Sequence, residues 1–125
     1  MRGTVLLLDR DGSSLVDPDF LRDSGLIVQH CREPAQALKR LQEVAVDVVV
    51  VVPAQHGQAI VADLRDLADH ATSIIVASVP EQCDEARRSG ADAVLLTSAA
   101  PAELLTEIQR ALILRRSGRR LPRNW

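Results

Sequence analysis

Two aspartates stand directly after the first apolar run of the chain, in the stretch Leu7-Leu8-Asp9-Arg10-Asp11. A carboxylate in such a place can attack phosphorus, hold a divalent cation or move a proton. A hydroxyl, that of Ser78, follows another apolar run in the same way. These polar residues form a site only if the elements that carry them end side by side, so those elements are considered next.

Length and composition place the chain in one class and exclude several others. The 125 residues, 46% of them hydrophobic, fit one domain with a real core. A net charge of -2 and 2% aromatic residues argue against a protein that lives on nucleic acid or stacks bases and sugars. The cysteines, Cys31 and Cys83, form no CxxC pair and are expected to be buried free thiols.

Short apolar runs alternate with helical patterns along the chain, as expected for parallel strands covered on both faces. The predicted strands are Val5 to Leu8, Leu26 to Gln29, Val46 to Val52, Ile74 to Ala77 and Ala93 to Leu96. A helix is predicted to follow each one, opening in turn at Asp11 to Ser14, Glu33-Pro34, Gln58, Pro80 and Pro101. The fold class is therefore α/β: a single-domain, doubly wound (βα)5 parallel sheet.

The helical patterns also predict buried faces. The second helix presents Ala37, Leu38, Leu41 and Val44, the third helix, which is expected to run to Ala71, presents Ile60, Val61, Leu64 and Leu67, and the fifth presents Leu104, Leu105, Ile108, Leu112 and Ile113. In open parallel sheets ligands bind beyond the carboxyl ends of the strands. Function is therefore sought in Asp9, Arg10 and Asp11, and in the residues after the other strands.

At this point the sequence resembles the receiver domain of two-component response regulators, of the chemotaxis-regulator type, over roughly residues 4 to 113. Asp9 matches the acidic pocket, Val46 to Val51 the third strand, Ser73 to Ser78 the fourth strand with its switch hydroxyl, and Ser89 to Ala93 the Gly-Ala-Asp turn. The resemblance implies a flavodoxin-like sheet of strand order 2-1-3-4-5. It also implies a phosphoacceptor aspartate after the third strand, a magnesium ion and a phosphate-pairing lysine.

The residues that would carry this chemistry are replaced. Val52 stands at the phosphoacceptor position, where an isopropyl group can neither attack phosphorus nor bind a cation. Arg10 stands where a second magnesium-binding acid is expected, and Thr97 replaces the lysine, whereas Ser78 keeps its hydroxyl. The resemblance thus predicts a degenerate receiver, or pseudo-receiver, with no catalysis, no cofactor and magnesium binding that is weak at most. We hypothesise that Arg10 pairs with Asp9 or Asp11 and holds the pocket in one state.

Two alternatives remain open at the sequence level. Asp9 and Asp11 also resemble the first motif of haloacid-dehalogenase-type phosphatases, in which one Asp attacks phosphorus and the other acts as acid and base. The lysine this motif requires should follow a later strand, but the only lysine, Lys39, comes earlier. The second alternative is a receiver controlled by another ligand or through Asp9 or Asp11. His56, near Val52, is the histidine best placed to titrate in the pocket.

The remaining predictions concern partners. In the family, the face of the fourth helix, fifth strand and fifth helix commonly binds partners or a second copy. Here that predicted partner face would carry Glu81, Asp84, Glu85, Arg87, Arg88, Glu103, Gln109 and Arg110, a mixture of signs suited to complementary pairing.

The receiver-like domain is expected to span residues 1–114 and an arginine-rich tail residues 115–125. We expect the tail to project from the domain and to be the only part suited to an acidic partner such as nucleic acid, with Trp125 as an anchor. The first apolar run is too short for a signal peptide or membrane span. The whole predicts a cytoplasmic bacterial signalling protein that acts on protein partners in a pathway, with a homodimer as one form of contact.

Overall fold

The computed structural model describes residues 3–10, 16–52 and 59–122. Within these ranges the strands are β1 (Thr4–Leu8), β2 (Ile27–Cys31), β3 (Val48–Val51), β4 (Ser73–Ser78) and β5 (Ala93–Leu96). The helices are α1 (Pro18–Asp23), α2 (Pro34–Glu43), α3 (Ala59–Leu67), α4 (Cys83–Arg88), which a short 3-10 turn (Pro80–Gln82) precedes, and α5 (Pro101–Arg115). The predicted alternation of strands and helices is confirmed.

The strands form one parallel sheet in the order β2-β1-β3-β4-β5. Both the fold class and the predicted strand order are confirmed. Such an order requires crossover connections, and right-handed crossovers place helices on both faces of the sheet. The chain reverses its direction of winding after β2, so β1 and β3 are neighbours at the centre, where ligands commonly bind in sheets of this type.

Alternate residues of each strand serve the two faces of the sheet. On one face, Val5 and Leu7 of β1 join an apolar cluster with residues of α1 and α5. On the other, Leu6 and Leu8 join a cluster with residues of α2, α3 and α4. Because both faces are covered, the strands need apolar residues at successive positions, which explains the unbroken runs seen in the sequence.

Some residues predicted to be buried lie at the surface. Leu96, the last residue of the edge strand β5, is 42% exposed, and Ile113 of α5 is 65% exposed. Val44 and Leu67, predicted on the buried faces of α2 and α3, are also exposed. The reason is geometric: each lies at the end of its element or at the margin of the apolar face, where no neighbouring element covers it.

Three helix boundaries differ from the predicted ones, and one of them is that of α4, which begins at Cys83 because the predicted opening at Pro80 forms a 3-10 turn. Helix α1 begins at Pro18, because the Asp17 side chain accepts hydrogen bonds from the backbone N–H groups of Asp19 and Phe20, at 3.1 and 3.2 Å. The predicted opening at Asp11 to Ser14 lies outside the described residues. Helix α3 ends at Leu67 instead of Ala71, since the chain turns at residue 69 to enter β4.

The amino-terminal edge of the sheet is closed by a buried carboxylate. Asp92, 1% exposed, accepts hydrogen bonds from the backbone N–H of Ile74 at 2.8 Å and from Arg65 at 3.1 Å. Arg120 approaches its second oxygen at 3.0 Å. Burial lowers the pKa of Arg65, and the negative charge of Asp92 opposes that shift. A charge this deeply buried is tolerated because one oxygen accepts two hydrogen bonds and the other pairs with the guanidinium of Arg120.

A second group of charges lies beside the first. Arg115, in the last turn of α5, contacts Asp47 at 2.6 Å, Asp69 at 3.2 Å and the hydroxyl of Thr72 at 3.2 Å. The backbone N–H of Ala71 and then the Arg115 side chain hold the pKa of Asp69 below its ordinary value. Helix α5 is thereby joined to the loops before β3 and β4.

Arg120 and Leu121 of the carboxyl-terminal segment (residues 116–122) pack against this edge, so the prediction that the tail projects is wrong at these two residues. Leu121 is 2% exposed, and its backbone N–H donates to the Ser73 hydroxyl at 2.7 Å. The physical reason is that acids from distant parts of the chain meet here and attract the arginines. Residues 123–125, including Trp125, lie outside the described residues.

We predict that Asp92→Asn lowers the free energy of unfolding by about 2 kcal/mol, because it removes the charge that Arg65 and Arg120 both contact. Urea unfolding measures the change. The matched control is Asp84→Asn, which removes an exposed pair with Arg87 and should change stability by about 0.5 kcal/mol or less. Equal effects of the two substitutions would contradict the assignment.

Candidate functional site

The carboxyl ends of the strands bring the predicted pocket residues to one edge. Asp9 follows β1 and donates its backbone N–H to Cys31 of β2 at 3.1 Å. Val52 follows β3 and donates to Leu8 of β1 at 3.3 Å. Thr97 follows β5 and donates to Ser78, the last residue of β4, at 3.0 Å. The backbone therefore aligns Asp9, Val52, Ser78 and Thr97 in the order of the strands.

Asp9 is the acidic residue of this edge that directly follows the first predicted strand. It is 1% exposed, although it follows the strand instead of lying within it. Its backbone carbonyl lies 2.9 Å from Nε2 of His30; since a carbonyl oxygen only accepts, the imidazole nitrogen donates. This contact joins the loop after β1 to β2.

Arg10 points away along the surface of the domain. Its guanidinium donates to Glu33 at 2.9 Å, and its backbone carbonyl accepts from Arg32 at 2.9 Å. Glu33 is the residue that precedes α2, so this pair joins the loop after β1 to the start of that helix. The hypothesised pairing of Arg10 with Asp9 or Asp11 stays a prediction; Asp11 lies outside the described residues.

The other pocket positions offer little chemistry. The side chain of Val52, 4% exposed, belongs to the apolar cluster on the α1 and α5 face. The Ser78 hydroxyl is buried and donates to the carbonyl of Val79 at 3.0 Å. Thr97 is half-buried and brings a hydroxyl where a cation would be needed to neutralise a phosphate. His56 lies outside the described residues.

A magnesium ion, which the receiver fold would suggest, has no matching set of ligands in the described part of the chain. Over residues 3–10, 16–52 and 59–122, no group of three or more His, Cys, Asp or Glu side chains is placed to hold a metal ion. Magnesium requires several hard oxygen ligands in octahedral geometry. Asp9 beside the apolar Val52 does not supply them, so no chemical step is derived through this metal.

The predicted partner face is exposed and partly paired within itself. Its residues in α4 and in the turn before it are exposed except Arg87, which is half-buried and pairs with Asp84 at 3.2 Å. In α5, Glu103 accepts the backbone N–H of Ala100 at 3.1 Å and so caps its own helix. Arg110 donates to Glu107 at 3.0 Å. These four residues therefore have roles inside their helices, whatever they contact elsewhere.

An open groove of about 750 Å³ runs between β5 and α5 on this side of the molecule. Its floor is apolar, with Leu96 among its residues, and its rim carries Glu103, Thr106 and Glu107. The sequence analysis missed Leu96 and Glu107 as surface residues. The position of Leu96 at the end of the last strand, which must lie at a sheet edge in the order 2-1-3-4-5, is the signal that could have revealed it.

The cysteines differ in their surroundings. Cys31, at the end of β2, is buried and free, as predicted, whereas Cys83 is half-buried and donates to the carbonyl of Val79 at 3.5 Å. Burial raises the pKa of the Cys31 thiol, and the nearby positive charge of Arg40 opposes the shift. Cys31 is therefore a structural thiol in this fold.

Comparison with known proteins gives a match in structure only. No protein-family model matches the chain, and no curated protein matches it. A CheY-like response regulator receiver domain from Methanospirillum hungatei superposes with a TM-score of 0.79 at 18% identity, covering 94% of this chain and 99% of that one. The chemotaxis response regulator CheY4 of Vibrio cholerae gives a TM-score of 0.73 at 25% identity, covering 89% and 99%.

The chain has the receiver fold. A two-component response regulator from Clostridium difficile agrees, with a TM-score of 0.75 at 16% identity and coverage of 89% of this chain and 96% of that one. The resemblance found in the sequence is thus confirmed in structure over most of the chain. The pocket that the resemblance predicts would lie at the edge that carries Asp9, Val52, Ser78 and Thr97.

We predict that iodoacetamide alkylates Cys31 more slowly than Cys83 in the native protein at neutral pH. The thiolate is the reacting form, and Cys31 combines burial with a raised pKa. Its alkylation rate should rise with pH as the thiol ionises, over a higher pH range than for an unburied cysteine, because burial raises the pKa of Cys31. Peptide mass spectrometry after timed alkylation measures both rates, with the Cys31→Ser variant as control. Faster modification of Cys31 would contradict this account.

Proposed function

We propose that this chain is a receiver-like signalling domain that acts through contact with a protein partner and without phosphorylation. The observation that carries the proposal is Val52: the receiver fold covers the chain, yet an apolar side chain stands where the fold's phosphoacceptor would be. A fold alone does not give a function, so the argument rests on this position and on its neighbours.

Three replacements at the pocket support the same conclusion. A valine offers no lone pair for attack on phosphorus, a threonine hydroxyl at position 97 carries no charge to balance a phosphoryl group, and Arg10 adds a positive charge where a metal ligand would be needed. Each loss is sufficient to weaken phosphotransfer, and the first removes the acceptor altogether. The domain would then signal through the one conformation in which it folds, which a partner would recognise.

The surface of α4, β5 and α5 supports a protein partner. It combines the open groove, which is lined by the exposed Leu96 and by the acidic Glu103 and Glu107, with arginines elsewhere on α4 and α5. Such an arrangement suits a partner that offers an apolar side chain for the groove and, around it, charges opposite in sign to those they face. A second copy of this chain is one such partner.

No helix within the described ranges is long and apolar enough to cross a bilayer. As a separate part of the proposal, we infer that the domain lies in the bacterial cytoplasm.

The experiment is intact-mass spectrometry of the wild-type protein after incubation with acetyl phosphate and magnesium. We expect no gain of a phosphoryl mass, because the acceptor position is a buried valine. The Asp9→Asn and Asp11→Asn variants are treated in parallel. They show whether any label that appears depends on a neighbouring carboxylate. A known active receiver in the same reaction controls the reagent.

A phosphoryl gain that disappears in either variant would contradict the proposal and show a relocated acceptor. The same samples are tested for hydrolysis of an aryl phosphate with magnesium. Turnover that Asp9→Asn abolishes would instead favour the phosphatase alternative, in which Asp9 attacks phosphorus. We expect that the protein neither gains a phosphoryl group nor hydrolyses the aryl phosphate.

A further inference from the structure

The carboxyl-terminal segment leaves α5 by a turn and reverses toward the amino-terminal edge of the sheet. Gly118 adopts a φ of +70°, a left-handed conformation that glycine tolerates best, and Arg119 donates its backbone N–H to Leu114 at 3.0 Å. Although fully described, the segment (residues 116–122) belongs to no helix or strand. Its position therefore depends on what its side chains and isolated backbone groups contact.

The edge receives the segment through three different kinds of contact. Leu121 places its side chain in the apolar cluster on the α1 and α5 face, where it is buried. Its backbone N–H donates to the Ser73 hydroxyl at 2.7 Å. The Nε of Arg120 approaches the buried carboxylate of Asp92 at 3.0 Å. An apolar pocket, a hydroxyl acceptor and a buried anion thus meet two successive residues.

We propose that the amino-terminal edge of the sheet is a binding site for an Arg-Leu segment, which the chain's own residues 120 and 121 occupy reversibly. The site is selective because each side chain has a matching partner: the guanidinium a buried carboxylate, the leucine an apolar pocket. The proposal is independent of the function proposed above, since none of these groups lies at the pocket of Asp9 and Val52.

Reversibility follows from the exposure of the segment, in which residues 116–119 and Pro122 are exposed and only Arg120 and Leu121 are covered. Ordering the exposed residues costs conformational entropy that their burial does not offset. The sheet and helices beneath keep their own hydrogen bonds and core when the segment leaves. Opening of the segment should therefore require much less free energy than unfolding of the domain.

Asp92 would keep some of its hydrogen bonds when the segment leaves the site. Arg65 and the backbone N–H of Ile74 contact the same oxygen of Asp92, and Arg120 approaches the other. Departure of the segment would vacate the places that Arg120 and Leu121 occupy, and these places suit the guanidinium and the apolar side chain of another ligand. Another Arg-Leu segment, added from solution, can then take the place of the first.

The first test is amide hydrogen exchange of Leu121 measured by NMR on the full chain. We expect protection in the wild type, and exchange about tenfold faster or more in Arg120→Gln, since a charged hydrogen bond is lost. The matched control is Arg119→Gln, the same change one residue earlier, which should leave the exchange rate of Leu121 nearly unchanged. An unprotected Leu121 amide in the wild type, or equal rates in both variants, would overturn the proposal.

The second test separates a binding site from a fixed part of the fold. A peptide of residues 117–122 is added to the full-length Leu121→Ala protein, whose own segment is weakened. We expect saturable NMR shifts at the amides of Ser73 and Asp92. A peptide with glutamine in place of its arginine at position 120 should not produce them. If the variants lose stability but no peptide binds, the segment is a fixed structural element and the proposal is wrong.

A dilution series tests whether the bound segment belongs to the same chain or to a second copy. Occupation within one chain predicts that protection of the Leu121 amide does not change with protein concentration, and that the wild type sediments as the same species throughout. Loss of protection on dilution, together with dissociation of a dimer, would overturn occupation within one chain and assign the bound segment to a second copy.

Discussion

A parallel sheet that is covered on both faces is the constraint on which the rest of this structure depends. The central strands β1, β3 and β4 are apolar at every interior position, because helices cover both faces there. The polar groups of these three strands therefore lie at or beyond their ends. Asp9 follows the carboxyl end of β1, and the buried Asp92 with its arginines lies at the amino end of the sheet.

The two ends have opposite character. At the carboxyl end, Asp9 is aligned with a valine, a serine that donates to its neighbour and a threonine, and no group of three or more metal-binding side chains forms within the described residues. At the amino end, charges are dense and matched, and they join loops, a helix and the carboxyl-terminal segment. The charged residues at the amino end of the sheet thus stabilise the fold by joining these parts of the chain.

The sequence was sufficient for the existence of the strands and, through the resemblance, for their order. Unbroken runs such as Val48 to Val51 predict buried parallel strands, and the residues after them must meet at one edge. Strand order came from the resemblance, which the Gly-Ala-Asp turn before β5 carried. These features depend on local pattern or on topology, and both can be read along the chain.

Other features depend on contacts between distant residues, which no local pattern reveals. Asp92 and Arg120 are separated by the whole of α5, and a run of arginines after a helix is equally typical of a solvated tail. Leu121 alone among these residues hinted at burial. Helix α1 shows a smaller limit: both Asp11 and Asp17 are capable of capping a helix, and the hydrogen bonds at Asp17 fix its start. The exposure of Leu96 and Ile113 likewise follows from which elements do not cover them.

The central claim is that the receiver pocket of this chain does not respond to phosphorylation. Its most direct test is an amide NMR titration with beryllofluoride and magnesium, which together mimic a phosphorylated aspartate. The account predicts a spectrum that stays unchanged at Asp9, Ser78 and Thr97, because the position after β3 is a buried valine. Saturable shifts at these residues would show that the pocket still binds the phosphoryl mimic, and would contradict the account.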